Sequence, residues 1–509
     1  MKRVLILALA FMGIVIGAGF ASGQEMMQYF VAFGHYGLFG ALISAGLTSL
    51  VVTAVFRFAS YLLADEHGEV LNFVGAKWFT WIFDIALLFA MFAIGFVMFA
   101  GAGTNLNQQW GIPTWIGSLL MLLLVLVVGM LDVDRITNLI GAVTPFILAL
   151  LLLVFVVTVF DPWAEFHVLD AAAQQVQTGL PQWIYAAINH SGLTMMTALS
   201  MLVVIAGNSA NMRSAGAAGI VGGVIYFLVL ILAVFSLYLR VETVGQDDMP
   251  MLTLVNEIHP IMGMIMAVVI YLMIFNTAIS LFYAFTRRIT ARRPEKFRTV
   301  YLGVCIFGFA LSFFGFRTLV SYVYPVIGIV GFLLGLMLLF GWFKYRKEIR
   351  FEASRRDVVA VLVEKKFDPA VTFTQQEQDL LDKAISYSNL DDEQFKSAIV
   401  DDVETDESYD LTDWDDVEAT NPDPQEVQAR KAAAYARALE IVSAGADDSE
   451  AEVLSATADS ELVHHSSLDA ASSAGAENAS RGTADAAEVE NRSFDDADFA
   501  GADHSDGIK

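Results

Sequence analysis

Ten long apolar runs decide what this chain can fold into. They lie at about 4–33, 38–62, 78–104, 113–131, 136–160, 181–208, 216–239, 260–286, 300–316 and 318–343. Each comes near or exceeds the roughly 20 residues that a helix needs to cross a bilayer. Lipid gives unpaired backbone no hydrogen bonds, so runs of this kind cross as helices. The pattern predicts an all-α polytopic membrane protein with about ten transmembrane helices, in keeping with a chain that is 56% hydrophobic.

Charge is placed unevenly along the 509 residues, whose formal net charge is −25. After Arg350 stand 39 of the 55 acidic and 12 of the 30 basic residues, so this end carries −27 and the apolar part +2. The acidity therefore says nothing about what the membrane part handles. Residues 351–509 hold too little apolar surface to offset chain entropy and read as an acidic, mostly disordered tail on a transmembrane core of residues 1–345. Two stretches there keep helical spacing, "TQQEQDLLDKAISYSNLDDEQFKSAIVDD" and "PQEVQARKAAAYARALEIV". The tail is either a solubilising segment or the binding segment for a protein partner.

With the N-terminus inside, Lys2, Arg3, Arg57, Lys77, Arg135, Arg213, the cluster from Arg287 to Arg298, and Lys344 to Lys347 all fall on the cytoplasmic side. Only Arg240 and Arg317 fall opposite. The positive-inside rule then predicts that both termini are cytoplasmic. Cys305 is the sole cysteine and excludes an intramolecular disulfide. No HExxH pattern or phosphate loop occurs, and His464 and His465 stand in the tail without partners. "GAGFASG" has no preceding strand to make it a dinucleotide site, and no soluble part carries a basic footprint for nucleic acid. An enzyme and a bound cofactor are not expected.

Divided after the fifth run, the chain has two groups of five spans, and an odd count forces the second to enter the membrane inverted. Transporters built as inverted repeats carry their sites on discontinuous helices at matching positions of the two halves. The first span holds "GIVIGAGFASGQE", with breaks expected at Gly17, Gly19 and Gly23. The sixth holds "WIYAAINHSGLTMM", with Asn189, His190 and Ser191 beside an expected break at Gly192. Close helix packing is the alternative use of such glycines. Glu25, about two turns beyond Gly17, is placed to carry a proton or to meet an amino group, and His190 to do the same in the sixth span. Their alternatives are a vestibule carboxylate and a neutral, hydrogen-bonded imidazole. Asp84 is expected to meet Lys77 or Arg135, and "LDVDRITN" at 131–138 to form a polar turn.

The "GAGFASGQE" string within a ten-span chain resembles the YkvI-type putative amino acid permeases of the amino acid–polyamine–organocation (APC) superfamily. The resemblance covers about residues 1–345 and implies a LeuT-like five-plus-five inverted repeat. It implies a secondary active transporter of a small amino acid or related amine, working by alternating access in a bacterial plasma membrane, with Na+ or H+ as coupling ion. Carried over by position, the Ala18 and Gly19 amides face a substrate carboxylate, with Ser22, Gln24, Asn189, His190 and Ser191 around it. The Gly13 and Ile16 carbonyls face a cation, completed from the eighth span by Met273, Asn276, Thr277 and Ser280. Asn276 stands where sodium-coupled relatives present a hydroxyl, which leaves a proton carried by Glu25 as the other choice. The competing function is a non-transporting membrane sensor or scaffold that works through its acidic tail. Substrate identity and oligomeric state are not legible.

Overall fold

The computed structural model describes residues 2–75, 77–130, 143–367, 372–390 and 395–399. Residues 131–138 and the start of the expected fifth span lie outside them. The first crossing is assembled from three short pieces, α1 (Lys2–Val15), α2 (Ala18–Ser22) and α3 (Gln24–Tyr29). It is followed by α4 (His35–Leu62), α5 (His67–Val74), α6 (Lys77–Trp110), α7 (Thr114–Gly129), α8 (Val143–Phe160) and α9 (Phe166–Ala173). The second half holds α10 (Trp183–Gly207), α11 (Met212–Leu239), α12 (Pro250–Ile258), α13 (Pro260–Ile289), α14 (Phe297–Ser312), α15 (Phe316–Phe367) and α16 (Gln375–Ser386). No strand occurs among the described residues. Six helices, α4, α6, α10, α11, α13 and α15, are each long and apolar enough to cross a bilayer. With the broken first crossing and the shorter α7, α8 and α14, they account for the ten expected runs.

Packing sorts the crossings into two groups. In one, α1, α4, α10 and α11 pack on one another; in the other, α6, α7, α13 and α14 do. Contact of α1 with α11 is answered by contact of α10 with α4, which pairs the first and seventh crossings as the sixth and second are paired. Likewise α8 lies on α11 as α15 lies on α4. These reciprocal pairings are what an inverted five-plus-five repeat produces. The ends of α4 and α13 and the starts of α6 and α11 share one face, called here the basic face after Arg57, Lys77, Arg213 and Arg287.

The expected break in the sixth span is not there. The helix α10 runs without interruption from Trp183 to Gly207. Gly192 serves close approach instead: a Cβ on it would run into the backbone of Gly328 and Phe332 on α15, and one on Gly331 would strike the Gly192 carbonyl. Small residues let two membrane helices touch backbone to backbone, where dispersion rather than water expulsion drives association.

The last helix also departs from the expected boundary. It does not stop near 343 but continues to Phe367, and α16 follows with a Thr374–Glu377 capping box. Leu381, Ile385, Phe395 and Ile399 share an apolar cluster with Leu63 and Ala210 on the basic face.

If Gly192 is a packing residue, Gly192→Ala should destabilise the protein by about 1–3 kcal/mol, because rigid backbone blocks the added methyl. Thermal unfolding in detergent checks this. A hinge glycine would give the opposite sign, since alanine favours helix by roughly 0.5–1 kcal/mol.

Candidate functional site

The first crossing comes apart at two glycines. The Ile16 N–H still bonds to the Met12 carbonyl at 2.9 Å, but the Gly17 N–H turns to Val15 at 2.8 Å instead of continuing the helix. Gly17 is extended, with φ −91° and ψ −174°. Among the described residues no backbone N–H reaches the carbonyls of Gly13 or Ile16, and the amides of Ala18 and Gly19 find no backbone acceptor. Half-helix ends carry partial charge of this kind without an ionised side chain. The second break is at Gly23, whose φ of +79° needs glycine, and a Cβ there would stand 3.1 Å from the Met251 backbone nitrogen on α12. Ser22 staples this corner, donating to the Gly19 carbonyl at 2.9 Å and accepting from the Gln24 N–H at 3.3 Å.

Gly19 is not a break, since it lies within the helical turn α2. What it provides is room. A Cβ on Gly19 would stand 2.5 Å from Glu25 Oε2, so the carboxylate leans against the bare face of this glycine. The other carboxylate oxygen, Oε1, lies 3.0 Å from Nε2 of His190 on α10. That is an ion-pair separation, while the ring plane leaves the two poorly aligned for a hydrogen bond. His190 Nδ1 lies 2.8 Å from the Ser44 hydroxyl on α4. Phe30 and Tyr29 meet the imidazole edge-on, at ring-centroid distances of 4.8 and 5.2 Å.

Burial makes this pair costly to leave unmatched. The His190 side chain is 1% exposed and that of Glu25 15%. Around them Tyr29 donates to Asn189 Oδ1 at 2.9 Å, and the Asn189 amide donates to the Pro325 carbonyl on α15 at 2.8 Å. Thr48 on α4 donates to Ser191 at 3.1 Å. The Tyr324 hydroxyl approaches the Gly19 Cβ position at 3.6 Å. Four elements, α2–α3, α4, α10 and α15, thus converge on one carboxylate and one imidazole. The pair can hold zero, one or two protons and so carries a charge of −1, 0 or +1.

The expected site residues divide accordingly. Gly19, Glu25, Asn189, His190 and Ser191 come together here; Ala18 and Gln24 are buried beside them, and Ser22 is taken up by the corner. The row Met273, Asn276, Thr277 and Ser280 lies on α13, which packs against α2. Its one hydrogen bond among the described residues stays within the helix, from Ser280 to Asn276 at 3.4 Å. Sequence reading missed Tyr29, Ser44, Thr48 and Tyr324. Ser44 and Thr48, four apart in an apolar run, were the available signal.

Below the pair, the basic face is closed by a second polar network. Asp84 on α6 pairs with Arg288 on α13, at 2.8 Å, and not with Lys77; Arg135 lies outside the described residues. His67 Nε2 lies 3.1 Å from Arg288 Nη1, and its Nδ1 3.1 Å from the Ser200 hydroxyl on α10. Burial and the nearby Arg288 push the imidazole of His67 below its ordinary range, against the pull of Asp84. Neutral His67 therefore joins α10 of the first group to α6 and α13 of the second. On the opposite face a polar recess of about 480 Å³ is lined by Gln108, Gln246, Asp247 and Arg317 among others.

No family model matches the chain. It is 27% identical over 324 residues to the uncharacterized membrane protein YkvI of Bacillus subtilis (strain 168), across 64% of this chain and 92% of that one. It is 24% identical over 342 residues to the uncharacterized protein YyaD of the same organism, across 65% and 94%. Among solved structures, MhsT in complex with L-phenylalanine is 16% identical with a TM-score of 0.46, covering 78% of this chain and 94% of that one. The inward-facing conformation of Mhp1 is 13% identical with a TM-score of 0.44, covering 84% and 93%. The likeness to YkvI expected from the glycine-rich motif thus extends over most of YkvI's length. This chain is an integral membrane protein.

Gly19→Ala should displace the carboxylate from His190 yet cost less than about 1 kcal/mol, because only the end of one side chain must move. The Glu25 carboxyl band in the infrared spectrum, assigned by its loss in Glu25→Gln, should shift as it does in His190→Gln. An unchanged band in Gly19→Ala would mean that the glycine does not position Glu25.

Proposed function

We propose that this chain is a secondary active transporter, moving a small amino acid or related amine by alternating access. The observation that carries this reading is the Glu25–His190 pair, buried beside the unwound stretch of the first crossing. Ionisable groups inside a membrane bundle are expensive to keep, and they mark pathways for substrates, ions or protons. A scaffold has no use for one carboxylate and one imidazole at that depth. The two-group packing supplies the bodies that rock, and the His67 network supplies a contact that must open between them.

Glu25 is the group through which a proton couples to substrate. Its partner is an imidazole, and among the described residues no lysine or arginine is paired with it, which leaves it open to a proton or a substrate ammonium. The Ala18 and Gly19 amides are the group for a substrate carboxylate. Sodium is the alternative coupling ion; it would use the Gly13 and Ile16 carbonyls with Met273, Asn276, Thr277 and Ser280. The basic face is cytoplasmic, with both termini inside and the bacterial plasma membrane as the location.

The test is thermal stability of purified protein against amino acids, amines and polyamines, in sodium or potassium, at pH 5 and pH 8. A true ligand at about 100 times its Kd stabilises by roughly 2.7 kcal/mol. The expected result is stabilisation that depends on pH in the wild type and loses that dependence in Glu25→Gln. Retained pH dependence in the variant would remove Glu25 from coupling. An absence of stabilisation by every compound in the wild type would count against transport.

A further inference from the structure

Arg356 lies far from the Glu25 pair, on the part of α15 that continues past the membrane. It is one of the largest fully buried side chains among the described residues. Its Nε meets Glu352 at 2.9 Å, and Glu352 is itself buried. Nη1 donates to the Ser60 carbonyl at 2.6 Å, and Nη2 to the Tyr61 carbonyl at 2.7 Å and to Asn389 Oδ1 at 3.0 Å. Nη1 also lies 3.4 Å from the carbonyl of Ala210. Ser60 and Tyr61 end α4, where Leu63 takes the left-handed conformation with φ 45°, and Ala210 lies in the turn between α10 and α11. The guanidinium therefore caps the end of α4, where the Ser60 carbonyl also takes the Leu63 N–H at 3.4 Å.

Residues beyond the membrane complete the arrangement. Asn389 donates to the Tyr61 carbonyl at 2.8 Å, and Ser388 to Glu352 at 2.6 Å. Leu63 and Ala210 share an apolar core with Val359 and Val363 of α15, Leu381 and Ile385 of α16, and Phe395. Arg356 stacks over the Phe395 ring at 5.5 Å. Arg213, at the start of α11, pairs with Asp357 at 2.8 Å. The helix α15 packs in turn against α6, a member of the other group.

We propose that the described residues of 344–367, 372–390 and 395–399 form a clamp that holds the basic-face ends of α4, α10 and α11 to α15, and so keeps that face closed until the clamp loosens. A solubilising tail has no reason to bury an arginine on three backbone carbonyls. The functional consequence rests on the alternating-access reading, but the clamp does not, and its test needs no substrate.

Spin labels on exposed Asp65→Cys, just after α4, and Arg298→Cys, on α14, measure the opening of the basic face. Labels on Tyr36→Cys and Trp115→Cys measure the opposite face; Cys305 is buried. Two clamp variants are compared with the full chain, a truncation after Phe367 and the double variant Ser388→Ala, Asn389→Ala. The second removes tail-side hydrogen bonds and leaves Arg356 on Glu352 and on the helix-end carbonyls. The expected result is a rise of about tenfold in the population with a long Asp65–Arg298 distance, with no lengthening on the opposite face. Unchanged Asp65–Arg298 distances in the variants overturn the proposal, as does equal lengthening on both faces, which would report general loosening. Should the truncation not fold, the double variant decides. Failure of every compound to bind would remove the transporter reading and leave this result standing.

Discussion

A carboxylate held within a lipid-embedded bundle has to be matched, and the fold around Glu25 is arranged to match it. Taking a charge out of water costs several kcal/mol unless polar partners replace the lost solvent. Here the partner is His190, itself held by Ser44, and the space for the carboxylate is the missing side chain of Gly19. The broken first crossing follows from the same need. Helix breaks at Gly17 and Gly23 set α2 and α3 so that residue 25 returns toward residue 19 rather than pointing into lipid.

The two halves share a plan but have been put to different uses. In the first, glycine unwinds the chain; in the sixth crossing, glycine brings α10 against α15 and the helix stays whole. The polar residues of α10 are not at a break. They face the first crossing, and each is tied by a hydrogen bond to α3, α4 or α15. The unwound backbone and Glu25 come from the first half, His190 comes from the second, and the two halves meet at this pair.

Much of this was legible in the sequence, and the failures have physical reasons. Ten apolar runs gave the crossings, because bilayer thickness fixes their length. Gly17 and Gly23 could be read as breaks, because they flank a polar stretch with no other use in lipid. Gly192 was misread, because a glycine in a membrane helix serves unwinding and close packing alike, and only the neighbouring Gly328 and Gly331 decide between them. Tyr29, Ser44 and Tyr324 were missed, because hydroxyls within apolar runs look like interhelical glue until the histidine they surround is located. The boundary near residue 345 was drawn where hydropathy ends. The helix passes it because Val359, Leu362 and Val363 find a soluble apolar core of their own.

The central claim is that Glu25 and His190 are one interacting pair inside the bundle. The most direct measurement is the ¹⁵N chemical shift of the His190 ring nitrogens across pH, in the wild type and in Glu25→Gln. The account predicts that the Nε2 shifts of the two proteins differ, because the variant removes the carboxylate that lies against the ring. Superimposable His190 curves in the two proteins would show that the histidine does not sense Glu25, and would contradict the account.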